Sequence, residues 1–132
     1  SPVARRLLRS IQAAARQELD VVVAEMGDGI IGRYGVETIL RDPDFRGRIR
    51  AHVFCANDLV SAWGGVLWFK ERGLPLDVIA GPATDNQVGM AYIQQDLGIA
   101  AANARTEPER FADLVEEASF EEITPPTPPA GG

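Results

Sequence analysis

Two carboxylates accompany a glycine-rich run near the start of the chain. The run G-D-G-I-I-G fits the pattern G-x-G-x-x-G through Gly27, Gly29 and Gly32, with Asp28 inside it and Glu25 just before it. Glycines at this spacing let a backbone approach phosphate groups closely, but carboxylates repel phosphate. Magnesium resolves the conflict, because the ion binds carboxylates and phosphates together. We therefore expect the three glycines to bind a nucleotide and the two carboxylates to bind Mg²⁺.

Two other interpretations of this run stay open. In the first, the run is the fingerprint of a Rossmann-like domain that binds NAD(P). That fingerprint expects an acidic residue about 20 residues farther on, at the end of the second strand. The only candidate, Asp58, lies farther away and follows Asn57, where a helix cap belongs. In the second interpretation the glycines only form a tight turn.

A second polar group follows the later strands. Thr84, Asp85 and Asn86 come directly after a Gly-Pro dipeptide at the end of one predicted strand, and Asn103 ends the next one. The carboxyl ends of parallel strands share one edge of a sheet, and ligands bind there. We expect these four residues to bind the nucleotide. Helix capping alone is the alternative explanation for Thr84.

The elements that must position these residues alternate along the chain. Apolar spacing and chain breakers predict helices at 3–17, 30–41, 57–72, 84–98 and 107–118, and strands at 20–25, 50–56, 76–80 and 99–103. Alternating strands and helices predict an α/β fold with a mainly parallel sheet. The strands lack polar alternation, so helices should cover both faces in a three-layer sandwich of the P-loop or Rossmann type.

Length and composition suggest one α/β domain over residues 1–118, followed by a flexible proline-rich tail at 119–132. The net charge of −6 argues against binding to nucleic acids or anionic membranes. The single cysteine, Cys55, and the single histidine, His52, exclude a cysteine zinc cluster and disfavour a Cys-His device. We expect Cys55 to be a small buried hydrophobe. Without a membrane-length apolar run or a signal peptide, the sequence predicts a cytoplasmic protein.

Three segments of the chain resemble the dethiobiotin synthetase and cobyrinic acid amidase group of P-loop nucleotide hydrolases. They are V-V-V-A-E before the glycine-rich turn, R-A-H-V-F-C-A-N-D, and G-L-P-L-D-V-I-A-G-P-A-T-D-N. The resemblance spans about residues 15–118 in element order and short motifs. It implies that the chain binds ATP or GTP with Mg²⁺. It also implies that Glu25 is the magnesium-side acid and that Asn86 reads the base, although Asn86 is shifted by a few residues.

One part of the family pattern is absent. The phosphate loop G-x-x-x-x-G-K-[ST] does not occur, and the only lysine, Lys70, lies in a predicted helix. The chain also begins at Ser1. The resemblance therefore implies the second half of a larger protein.

These observations favour a Mg²⁺-dependent nucleotide-binding α/β domain, part of a P-loop-type ligase or kinase. A Rossmann-like NAD(P)-binding domain and a non-catalytic α/β interaction module are the alternatives. The expected partner is a nucleotide, with no nucleic acid and no membrane. A homo-oligomer and a covalently linked upstream domain both remain open. The sequence identifies no catalytic residue and no substrate, and it does not decide whether the chain is an enzyme.

Overall fold

A computed structural model describes residues 1–16, 19–33 and 35–120. The contacts divide the chain into two compact units, Ser1–Ile49 and Arg50–Gly132. The prediction of a single domain over residues 1–118 stays a prediction. Of the tail predicted at 119–132, residues 121–132 lie outside the described residues.

The first unit is helical. Its helices are α1 (Pro2–Ala14), α2 (Val36–Arg41) and α3 (Pro43–Arg46). Pro2 and Pro43 occupy the first positions of α1 and α3. A backbone N–H at this position has no partner within the helix, so its absence in proline loses no helical hydrogen bond. Asp42 caps α3, because its Oδ1 accepts hydrogen bonds from the backbone N–H groups of Asp44 and Phe45 at 3.0 and 3.3 Å. The core of this unit consists of Leu8, Ile39 and Phe45, with half-buried neighbours around them.

The strand predicted at 20–25 is not formed. This segment has no regular secondary structure, and Val21, Val22 and Val23 are 64%, 46% and 90% exposed. A strand is stable only when a neighbour pairs with its backbone, and a run of valines alone does not supply that neighbour. The helix predicted at 30–41 begins only at Val36, because Gly35 before it adopts a left-handed φ of 86°.

The second unit is mixed α/β. Its elements are β1 (Val53–Cys55), α4 (Leu59–Glu71), β2 (Val78–Ala80), a 3₁₀ turn (Pro82–Thr84), α5 (Gln87–Ala91), a π-helical turn (Tyr92–Asp96), β3 (Ala100–Ala101) and α6 (Pro108–Phe120). The three strands form one parallel sheet in the order β1-β2-β3. The predicted α/β class with a parallel sheet is confirmed at this level. The helix predicted at 84–98 begins only at Gln87, and α5 continues directly into the π-helical turn, which ends at Asp96.

The register of the sheet decides which residues form the core. Phe54 and Ala101 lie on either side of Ile79, so the three residues share one face. Ile79 and Ala101 are fully buried in a cluster that includes Ala62 of α4 and Ile93. The alternate positions of β1 lie on the opposite face. Cys55 is exposed there, so the prediction of a buried cysteine is wrong. Among the described residues, β1 pairs with a strand on one side only and is the edge of the three-stranded sheet.

Among the helices of the described residues, none is both long and apolar enough to cross a bilayer.

Two adjacent glycines in α4 should respond in opposite ways to the same substitution. A methyl group at Gly65 would collide with the ring of Phe54, whereas a methyl group at Gly64 would meet open space. We expect Gly65→Ala to destabilise the fold by about 1–3 kcal/mol through overpacking. Gly64→Ala should stabilise it by up to about 1 kcal/mol through helix propensity. Urea unfolding of the two variants at low protein concentration measures both effects. Equal changes in the unfolding free energy would contradict the close approach of Phe54 to Gly65.

Candidate functional site at the carboxyl edge of the sheet

The turn after β2 is built against the end of β1. Gly81 has φ 90° and ψ −176°, a conformation that is essentially restricted to glycine. A side chain there would also come within 2.7 Å of the Ala56 carbonyl oxygen. The backbone N–H of Ala83 donates a 3.0 Å hydrogen bond to that same oxygen. The glycine and this bond fix the course of the chain into Thr84.

Asn103 joins this turn to the end of β3. Its Nδ2 donates to Thr84 Oγ1 at 3.1 Å and to Asp85 Oδ1 at 2.8 Å. Its Oδ1 accepts from the backbone N–H groups of Arg105 and Thr106, both at 3.0 Å. Thr84 completes the network by donating to the Gly81 carbonyl oxygen at 2.6 Å. The predicted residues Thr84, Asp85 and Asn103 are thus brought together at one edge.

The members of this cluster differ in what they offer to a ligand. Thr84 and Asn103 are buried, and the Asn103 amide uses both of its donors and both acceptor lone pairs within the protein. Asp85 is exposed, with one carboxylate oxygen held by Asn103. The geometry therefore makes Asn103 and Thr84 positioning residues. Asp85 is the group that presents a carboxylate to solvent.

Two neighbouring polar residues serve as helix caps. Asn86 Oδ1 accepts a 2.8 Å hydrogen bond from the Gly89 backbone and begins α5. Asp58 Oδ1 accepts a 2.7 Å bond from the Ser61 backbone and begins α4. Asp58 is therefore a cap, as its place after Asn57 suggested. The hydrogen bond from Ser61 lowers the pKa of Asp58 below its ordinary value of 3.8.

The residues of the glycine-rich run belong to the first unit. Glu25, Gly27, Asp28, Gly29 and Gly32 are all exposed, and Gly32 has a φ of 121° that favours glycine. Across residues 1–16, 19–33 and 35–120, no group of three or more His, Cys, Asp or Glu side chains is placed to hold a metal ion. That these five residues share an edge with Thr84 and Asn103 stays a prediction, and so does the Mg²⁺ site.

A cleft of about 970 Å³ lies at the other edge of the sheet, where strands begin. Asp77 and Ala100 line it from the sheet side, and Asp113, Glu116 and Glu117 line it from α6. Four carboxylates around one opening repel a phosphate group. Ligands of parallel sheets also bind at the carboxyl ends. For a nucleotide, the small cluster at the carboxyl edge is therefore the better candidate than this larger cleft.

Sequence reasoning missed two features of the site. It treated Asn103 as a ligand-binding residue without detecting that its amide is fully used, because hydrogen-bond partners 18 and 19 residues away leave no local pattern. It also noted Gly81 only as part of a turn. The dipeptide Gly81-Pro82 between an apolar run and polar residues was the available signal for a tight approach of backbones.

Comparison with known proteins does not place the chain in a family: no family model, no curated protein and no solved structure matches it. The resemblance to the dethiobiotin synthetase and cobyrinic acid amidase group stays a prediction.

The Asp58 cap should make stability depend on pH in the acid range. A lowered folded-state pKa means that the charged carboxylate stabilises the fold above the ordinary value of 3.8 and that this contribution is lost as the pH falls below it. Asp58→Asn keeps an acceptor oxygen but does not titrate. The unfolding free energies of wild type and Asp58→Asn should differ most above about pH 5 and converge in stronger acid. Asp96→Asn, at an exposed position, is the control. A difference that stays constant with pH would contradict this assignment.

Replacing Asn103 should lower the unfolding free energy strongly, because its side chain makes four hydrogen bonds. Asn103→Ala removes four hydrogen bonds and leaves buried groups without partners, so we expect a loss of about 2–4 kcal/mol in unfolding free energy. Asn57→Ala, at an exposed asparagine after β1, should change it by less than about 0.5 kcal/mol.

Asn103→Asp separates the donors from the acceptors of this side chain. It removes both donors and places a second carboxylate beside Asp85, while an acceptor oxygen for the Arg105 and Thr106 N–H groups remains. Because like charges repel and the bonds to Thr84 and Asp85 are lost, the unfolding free energy of this variant at neutral pH should be lower than that of the wild type. Equal losses for Asn103→Ala and Asn57→Ala would exclude the bridging role.

Proposed function

We propose that this chain is a nucleotide-binding α/β domain whose site lies at the carboxyl edge of the β1-β2-β3 sheet. The observation that carries the proposal is the cluster of Thr84, Asp85 and Asn103 at the ends of β2 and β3. A parallel sheet brings polar residues to this edge and ligands bind there. Asp85 offers a carboxylate that accepts hydrogen bonds from ribose hydroxyls or from the N–H groups of a base.

Asp85 is suited to this role because a hydrogen bond from Asn103 orients its carboxylate, which is still exposed to solvent. One of its oxygens accepts a 2.8 Å bond from Asn103, whose other bonds are all to the protein. A fixed side chain loses little conformational entropy when it binds a ligand. Asn86 follows directly in sequence, but its Oδ1 is used by the helix cap, so its amide nitrogen is the part proposed to read the base.

Magnesium with ATP or GTP is the proposed cofactor. Mg²⁺ is usually bound by one or two carboxylates together with substrate phosphates and water. The exposed oxygen donors of Glu25 and Asp28 are of the right chemical type, and the glycines at 27, 29 and 32 leave the neighbouring backbone open to phosphate. When bound, the ion would neutralise the charge of the phosphates. The residues of this chain would hold it and orient the nucleotide.

We further propose the three-layer, P-loop-like or Rossmann-like form of the fold. The strands lie in the sheet in the order in which they occur along the chain. Because both crossovers then run in the same direction, right-handed connections put α4 and α5 on the same face of the sheet. Ala100 lies in register with Val78, on the opposite face from Ile79. Leu114 and Ala118 of α6 line the same cleft as Ala100, so α6, none of whose residues is buried, is the helix proposed for that second face.

Titration of the protein with ATP, GTP and NAD, each with and without Mg²⁺, tests the proposal. We expect ATP or GTP to bind only with Mg²⁺. Asp85→Asn keeps an acceptor oxygen for Asn103 but removes the negative charge. Asp28→Asn removes a negative charge at the proposed metal site. Each should weaken Mg²⁺-dependent binding by about tenfold or more, which corresponds to about 1.4 kcal/mol.

Asp96→Asn is the matched control, since it removes one exposed carboxylate elsewhere and should leave affinity unchanged. Binding of NAD without metal would favour the Rossmann-like alternative. If no nucleotide binds in any arm, the proposal fails and the non-catalytic interaction module is favoured.

A further inference from the structure

Helix α4 is apolar on two opposite faces, and the sheet covers only one of them. Ala62, Gly65, Trp68 and Phe69 are buried. Val60, Trp63 and Leu67 are 74%, 51% and 39% exposed. The spacings of three and four residues place these three side chains in one line along the helix. We call Val60, Trp63, Gly64 and Leu67 the outer stripe. A soluble helix normally carries polar residues on the face directed away from its core.

Among the residues that the structure describes, none packs closely enough to require a glycine at position 64. A methyl group at Gly65 would strike Phe54, which explains that glycine, whereas a methyl group at Gly64 would meet no atom within 4 Å. A glycine inside a helix costs about 1 kcal/mol relative to alanine. On the outer stripe, Gly64 leaves a shallow depression beside the large side chain of Trp63. In a second copy of this surface, the Trp63 ring can fill the depression at Gly64 of the first copy, and the reverse.

We propose that the outer stripe is a homodimer interface in which two α4 helices pack antiparallel about a two-fold axis between Trp63 and Gly64. This axis places Trp63 over Gly64 of the second copy and Val60 against Leu67 of the second copy. An interface of this kind must be self-complementary. The stripe meets that condition, because its large and small residues exchange positions on rotation.

The charges at the two ends of α4 favour the antiparallel direction. The exposed Asp58 carboxylate lies at the N-terminal end and the exposed Lys70 at the C-terminal end. Glu71 forms an ion pair with Arg72 at 3.6 Å, and their charges cancel. Lys70 therefore gives the C-terminal end of α4 a net positive charge. Antiparallel packing brings each Lys70 close to Asp58 of the second copy, whereas parallel packing places like charges together. Opposed helix dipoles favour the same direction.

The size of the stripe sets the expected strength. Standard stable interfaces bury about 1,600 Å² in total, and four residues on one helix supply only part of that area. The inferred dimer is therefore weak. We expect a Kd in the range of about 10–100 μM, which corresponds to about −5 to −7 kcal/mol.

Sedimentation equilibrium of the full chain tests the interface. The wild type should change from monomer to dimer between about 1 μM and about 1 mM. Val60→Glu should weaken dimerisation by about tenfold or more. Val88→Glu is the matched control, since Val88 is a valine of nearly equal exposure, 75%, on α5; it should leave dimerisation unchanged. A monomer at every concentration would overturn the proposal, as would equal effects of the two variants.

Disulfide trapping tests the direction without relying on the folding of a glutamate variant. In a Cys55→Ser background, Val60→Cys and Leu67→Cys chains are oxidised separately and as a mixture. Antiparallel packing predicts efficient cross-links only between the two different chains in the mixture. Efficient cross-linking of Val60→Cys with itself would show parallel packing and overturn the two-fold arrangement.

Discussion

The parallel pairing of β2 with both of its neighbours is the constraint on which the second unit depends. Every residue of β2 is buried, so its backbone polar groups must be satisfied within the sheet. The ladder does this, and it is extended beyond the strands where the Ala56 N–H donates to the Ala80 carbonyl oxygen at 2.9 Å. The same register places Phe54 and Ala101 beside Ile79. Core packing and the meeting of the strand ends therefore have one cause.

The candidate site follows from that constraint. When parallel strands end together, the chain must turn at the same edge several times within a small space. Gly81 permits one turn against Ala56, and Asn103 fastens it to the turn after β3. A buried amide so close to the sheet is stable only when all of its hydrogen bonds are made. The cluster is consequently rigid at its buried side, and its chemistry is presented by Asp85 at the exposed side.

The sequence predicted those parts of the structure that depend on local pattern. Apolar runs located β1, β2 and β3, alternation with helices predicted parallel pairing, and the strand-end rule brought Thr84, Asp85 and Asn103 together. The segment 20–25 was misassigned because a strand depends on a partner that no local pattern shows. Cys55 was misassigned because its exposure depends on the position of β1 at the edge of the sheet, which is a property of strand order. The saturation of Asn103 depends on residues that are distant in sequence.

The two adjacent glycines of α4 differ in their environment, although they look alike in the sequence. Gly64 and Gly65 stand side by side in the sequence, and no local pattern distinguishes them. Successive residues on a helix differ in direction by about 100°, so only Gly65 faces Phe54. The packing of the described residues therefore accounts for Gly65 and for the buried apolar face of α4. Within the part of the chain that the structure describes, no contact accounts for Gly64 or for the exposed Trp63, and a glycine lowers helix stability. Residues that folding does not require, and that exposure to water makes unfavourable, are explained by contact with a second surface.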